Sequence, residues 1–141
     1  GEAMQNYIKS IKKLIDELPA DFDRTRIYII GTSFGGYCVW QLVYLFPEYF
    51  AAAVPVMGGL CLDRSYEKYD TERLVKTPIW AAHSSDDTNV KVDSDDYYAA
   101  ELKKLGADIK YTRWDKCGHT MSGKFYRTEN WAAWCLSKKL G

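Results

Sequence analysis

An α/β fold built on a parallel sheet is what this sequence predicts, and three observations carry the prediction. Short apolar runs at residues 26–31, 51–56 and 79–83 are bounded by glycine, proline or charge, as strands buried on both faces are. Between them lie stretches whose apolar residues recur at three- and four-residue steps, the spacing of a helix with one buried face. The alternation of the two patterns is the signature of right-handed crossovers between parallel strands.

The elements follow in order. Met4, Tyr7, Ile8, Ile11, Leu14, Ile15 and Leu18 share a helical face, and Pro19 stops that helix. A polar turn, ADFDRTR, leads into the first strand at 26–31. A helix at 34–46 is closed by Pro47, and the second strand follows at 51–56. The segment DRSYEKYDTERLVK, residues 63–76, reads as a polar connection rather than a domain boundary. A third strand at 79–83, a helix at 93–105 closed by Gly106, a fourth strand at about 108–114 and a last helix at about 129–140 complete the chain. With no repeat, linker or low-complexity tract, residues 1–141 form one domain.

Size and charge narrow the function. A chain of 141 residues can bury about two thirds of the surface its unfolded form exposes, enough for one core. Nineteen basic and nineteen acidic side chains cancel without any run of five like charges, which argues against a nucleic-acid or anionic-membrane partner. The longest apolar runs, YCVWQLVYLF and FAAAVPVMGGL, fall short of the roughly 18–20 residues of a membrane span, so a soluble chain is expected. The opening GEAMQNYIKS lacks the features of a secretory signal, and the compartment, cytoplasmic or secreted, stays open. Cys38, Cys61, Cys117 and Cys135 show no CxxC spacing; they read as reduced core thiols, with Cys61 pairing to Cys117 or Cys135 undecided. No metal and no cofactor are expected.

Loops at the carboxyl ends of parallel strands gather on one sheet edge. Three such loops carry complementary chemistry: GTSFGG with Ser33, HSSDDTNV with Asp86 and Asp87, and DKCGHTM with His119. A serine nucleophile needs a histidine to take its proton, and the imidazole needs a carboxylate to hold its tautomer. In GTSFGG, Gly31 and Gly35 are expected to make room at a strained strand-to-helix turn that lifts Ser33 toward solvent. The same turn aims the Phe34 N–H at a forming oxyanion. By itself Ser33 would read as the cap of the helix at Phe34, and GxSxG alone is a weak signal. A phosphate-binding reading fails for want of a lysine and of correctly placed glycines. His83, at a strand end, reads as structural, and Trp131 and Trp134, on one helical face, as core.

GTSFGGYCVW, YLFPEYFAAAVPVMGG, TPIWAAHSSDDTNVKV and CGHTM together resemble the α/β-hydrolase superfamily. The resemblance is strongest to polyhydroxybutyrate-depolymerase-like and feruloyl-type esterases, with prolyl-oligopeptidase-like hydrolases related. It implies the C-terminal half of that three-layer fold, about four strands flanked by helices. It places the nucleophile on Ser33, the elbow glycines on Gly31 and Gly35, and the catalytic histidine on His119. The acid falls on Asp87, through a pattern of His, Gly, two variable residues and Asp in which Ser84 here replaces the glycine. Asp86 next door keeps that assignment open.

The implied activity is serine esterase, on a small-molecule or polymer-linked ester. Two alternatives stand beside it: a prolyl-oligopeptidase-like peptidase, and a catalytically silent module acting through an open sheet edge. The second oxyanion donor of the family comes from a strand and glycine-rich loop that residues 1–26 do not contain. The strand at 26–31 is therefore expected to expose an apolar edge and patch, met by a missing segment or a second copy of the chain.

Overall fold

The computed structural model describes residues 1–141. In chain order the elements are α1 (Glu2–Asp16), β1 (Tyr28–Thr32), α2 (Phe34–Leu45), β2 (Ala52–Val56), β3 (Ile79–Ser84), α3 (Asp93–Lys104), β4 (Ile109–Trp114), α4 (Ser122–Thr128) and α5 (Trp131–Leu136). All three strand pairings are parallel, in the order β1-β2-β3-β4.

The inner strands AAVPV and IWAAHS are buried at every position, which is why they read as unbroken apolar runs. Ala53, Ile79 and Ala81 face one layer, where Val39, Trp40, Leu42 and Val43 of α2 and Tyr98 and Leu102 of α3 pack with Ile8 and Ile15 of α1. Ala52, Val54, Val56, Trp80 and Ala82 face the other, against Met121, Phe125 of α4 and Cys135 of α5. Alternation of side chains along each strand thus produces three layers, helix, sheet, helix. Trp134 stacks edge-on to Trp80 at 5.7 Å, at the margin of the second cluster.

Pro55 sits in β2 between two partners, a position proline seldom takes. Its missing N–H falls on the β3 side, between the rungs Ala53 N–H to Pro78 O (3.0 Å) and Met57 N–H to Ala82 O (2.9 Å). The ladder continues on both sides of that one absent rung.

The C-terminal helix needs correction. The last helix does not run through 129–140: that segment holds only the six-residue α5, and a helix unforeseen from sequence, α4, precedes it. Glu129 is extended (φ −98°, ψ 146°), which separates the two helices. Beyond Leu136 the backbone turns away because Leu140 N–H donates to Thr25 O at 2.9 Å and Lys138 O accepts the Tyr28 hydroxyl at 2.9 Å. The polar connection at 63–76 holds two 3₁₀ turns, and Leu74 in the second is fully buried.

β1 lies at the edge of the sheet, and Ile30 on it remains 38% exposed. All four cysteines are unpaired. No helix is long and apolar enough to cross a membrane.

Candidate active site

The chain reverses from β1 into α2 through Ser33, whose backbone lies at φ 59°, ψ −115°. That region is costly for a residue with a side chain, about 1–3 kcal/mol. It is fixed from both sides: Ser33 N–H donates to Val56 O at 2.8 Å, and Ser33 O accepts Tyr37 N–H at 3.0 Å. Gly31 makes the reversal fit, since a Cβ there would stand 2.4 Å from the Gly35 carbonyl oxygen. At Gly35, by contrast, a Cβ would meet nothing within 4 Å, so crowding does not demand glycine there. The tight approach that sequence reading missed is one residue on, where a Cβ on Gly58 would lie 2.5 Å from the Gly36 carbonyl carbon.

The Ser33 hydroxyl caps nothing. Its Oγ lies 2.7 Å from His119 Nε2, and His119 Nδ1 lies 2.6 Å from Asp87 Oδ2. An ionised carboxylate only accepts, so Nδ1 carries hydrogen, Nε2 of the neutral ring accepts, and Ser33 O–H donates. Three loops, separated by 86 and 32 positions along the chain, thus form one hydrogen-bonded line.

Asp87 is 3% exposed. Its Oδ1 accepts the N–H groups of Asn89 (2.9 Å) and Val90 (3.0 Å). Burial works to raise its pKa, but the hydrogen bond from His119 and those from the Val90 and Asn89 backbone outweigh it and hold the carboxyl below its ordinary range.

Asp86 faces elsewhere. Its Oδ1 accepts Gly118 N–H and Ser84 O–H, each at 2.8 Å, and those bonds, Gly118 first, depress its pKa. Ser84 is itself buried and accepts Cys117 N–H at 3.0 Å. Together Asp86 and Ser84 tether the residues before His119 to the end of β3.

Phe34 N–H, at the first turn of α2, makes no hydrogen bond within the chain and stands free beside Ser33. Beside it opens a cavity of about 500 Å³, walled by Met4, Phe34, Tyr37, Leu60, Leu62 and Tyr69, with Ser33 on its lining. No cluster of three or more His, Cys, Asp or Glu side chains is arranged to hold a metal ion. His83, which the sequence reads as structural, is fully buried and lies 3.3 Å from Asp87 Oδ2, a proximity the sequence does not indicate.

Residues 2–137 match the model of the Dienelactone hydrolase family. The chain is 25% identical to Carboxylesterase SOBER1 of Arabidopsis thaliana over 126 residues, 88% of this chain and 55% of that protein. It is 34% identical to Poly(3-hydroxyalkanoate) depolymerase C of Paucimonas lemoignei over 61 residues, 42% of this chain and 14% of the other. The crystal structure of a thermostable esterase superposes on 99% of the chain and 37% of its own, with TM-score 0.76 and 31% identity. The chain spans about half the length of the curated carboxylesterases it matches.

Proposed function

The chain belongs to the dienelactone hydrolase family, and from that premise we propose that it serves as a serine hydrolase of carboxylic esters. The observation that carries the reading is the continuous line from Ser33 Oγ through His119 to Asp87, at 2.7 and 2.6 Å. Esterase names among the relatives support it.

In this mechanism Ser33 Oγ attacks the ester carbonyl while His119 Nε2 takes its proton. Asp87 keeps Nδ1 protonated and steadies the imidazolium that forms. Phe34 N–H donates to the oxygen on which negative charge develops. His119 then returns the proton to the departing alcohol, leaving an acyl group on Ser33. Water, deprotonated by the same Nε2, releases the acid and restores the serine. The aromatic and aliphatic part of the adjoining cavity's wall suits an apolar or aryl portion of the ester, with Asp63 and Lys68 on the same lining.

A fluorophosphonate probe tests the nucleophile. Labelling is expected in the wild-type chain and absent in Ser33→Ala; labelling that persists unchanged in Ser33→Ala refutes the assignment.

A further inference from the structure

Behind Asp87 stands a second histidine and carboxylate pair that the proposed mechanism does not use. His83, on β3, and Asp95, on α3, are both completely buried, with His83 Nδ1 2.8 Å from Asp95 Oδ2. His83 Nε2 lies 2.8 Å from Val90 O and 3.3 Å from Asp87 Oδ2.

Hydrogen counting defines the state of the pair. The Val90 carbonyl only accepts, so Nε2 must carry hydrogen. Nδ1 and Oδ2 at 2.8 Å would otherwise oppose two lone pairs, so a proton lies between them as well. The Nε2–H is directed at Val90 O, and Asp87 Oδ2 lies beside it at ion-pair distance, 3.3 Å. Val90 in turn gives its own N–H to Asp87 Oδ1 at 3.0 Å, so His83 acts on both oxygens of Asp87, on Oδ2 as a neighbouring charge and on Oδ1 through a single peptide unit.

We propose that His83 and Asp95 are a buried positioning pair that keeps the Asp87 carboxylate ionised and aimed at His119. The role of Asp87 rests on the esterase reading; the arrangement of the pair does not.

Its surroundings favour retention of the shared proton. Burial pushes the Asp95 carboxyl up to about 6. Burial opposes charge on His83, yet Asp95, the Val90 carbonyl and Asp87 outweigh it and raise its pKa. Other charged groups nearby are already committed: Asp96 of α3 accepts from Tyr111 (2.6 Å) and from Arg113 (2.9 and 3.1 Å) of β4, and His119 lies beyond Asp87. Asp95 Oδ1 makes no well-formed hydrogen bond, so the bond to His83 is the one Asp95 makes with good geometry, while the Trp40 indole N–H nearby also works to lower its pKa.

The chain has two histidines, so nitrogen and carbon NMR of labelled histidine resolves both rings in the full chain. In the wild type, His83 is expected to keep both ring nitrogens protonated past pH 6.5, because its pKa is raised. In Asp95→Asn the side-chain amide can donate to Nδ1, His83 becomes neutral, and Asp87 loses the cation behind it. The His119 midpoint is then expected to rise by about one unit. The acid limb of kcat/KM for a p-nitrophenyl ester should move with it, with kcat lowered more than KM is raised.

Should Asp95→Asn fail to fold, His83→Gln/Asp95→Asn, which replaces both charges by amides, decides the matter by the same readout. A His119 midpoint that stays in place or falls in the folded variant overturns the proposal, whether or not the chain hydrolyses esters. Failure of the esterase reading shows separately, as probe labelling that survives Ser33→Ala.

Discussion

Ser84 Oγ accepts the N–H of Cys117 at 3.0 Å, tying the last residue of β3 to the loop that carries His119. The same hydroxyl donates to Asp86. A glycine here, as in the family pattern, could make neither bond. Ser84→Ala is expected to cost about 1–2 kcal/mol by chemical denaturation, because two part-buried groups each lose a partner. It should also lower kcat several-fold with KM little changed, as His119 gains freedom. Unaltered stability and kcat would show that Gly118 and Asp86 suffice.

The strained backbone at Ser33 predicts a trade between stability and activity. Ser33→Gly removes both the proposed nucleophile and the steric penalty at φ 59°, and is expected to be about 1 kcal/mol more stable than Ser33→Ala, which keeps the strain. Both variants should lose about 10³-fold or more in ester hydrolysis. Thermal melts compared side by side check the first point, and steady-state rates the second.

Two glycines of the same turn should respond oppositely. Gly31→Ala forces a Cβ to 2.4 Å from a backbone oxygen and is expected to destabilise the chain by about 3 kcal/mol. Gly35→Ala meets open space and gains helix propensity, so its stability should match or slightly exceed the wild type. Equal losses at the two positions would contradict this reading of the turn.

Asp87 and Asp86 separate by pH as well as by activity. Because the folded state depresses Asp87 below its ordinary value of 3.8, its contribution to stability is present above about pH 4 and is lost as pH falls through the lower folded value. The stability advantage of wild type over Asp87→Asn should therefore shrink on acidification from about pH 5 to 3, measured by urea unfolding. Asp87→Asn should lower kcat by about 10³ to 10⁴, since the amide favours the wrong imidazole tautomer. Asp86→Asn leaves that tautomer alone and should act only through the loop, with a loss of about tenfold or less.

The His83 and Asp95 pair has the opposite sign. With the His83 pKa raised above 6.5, its stabilising proton is fully held below that value and lost as pH rises through the folded one. The stability difference between wild type and Asp95→Asn should be largest below pH 6.5 and fall as pH rises above it.

Much of the molecule was legible in the residue order, because the signals involved are local. Two-sided burial writes itself as AAVPV and IWAAHS, a one-faced helix as spaced apolar residues, and a strand-to-helix reversal as GTSFGG. The parallel order then brings the loops of Ser33, Asp87 and His119 to one edge. Sequence alone therefore determined the fold class and the three loops on which chemistry could meet. Other features had no local mark. Asp86 and Asp87 are chemically identical neighbours, and only the approach of His119 Nδ1 to 2.6 Å from Asp87 Oδ2 tells them apart. Extended backbone at Glu129 and the Leu140 to Thr25 hydrogen bond break a helix that its periodicity would have continued. The Gly36 and Gly58 contact joins two elements, and His83 meets Asp95 only because α3 packs over β3. Those decisions belong to the tertiary structure, since each depends on which groups from distant stretches share one dehydrated space, where a single hydrogen-bond partner fixes a side chain's direction and charge.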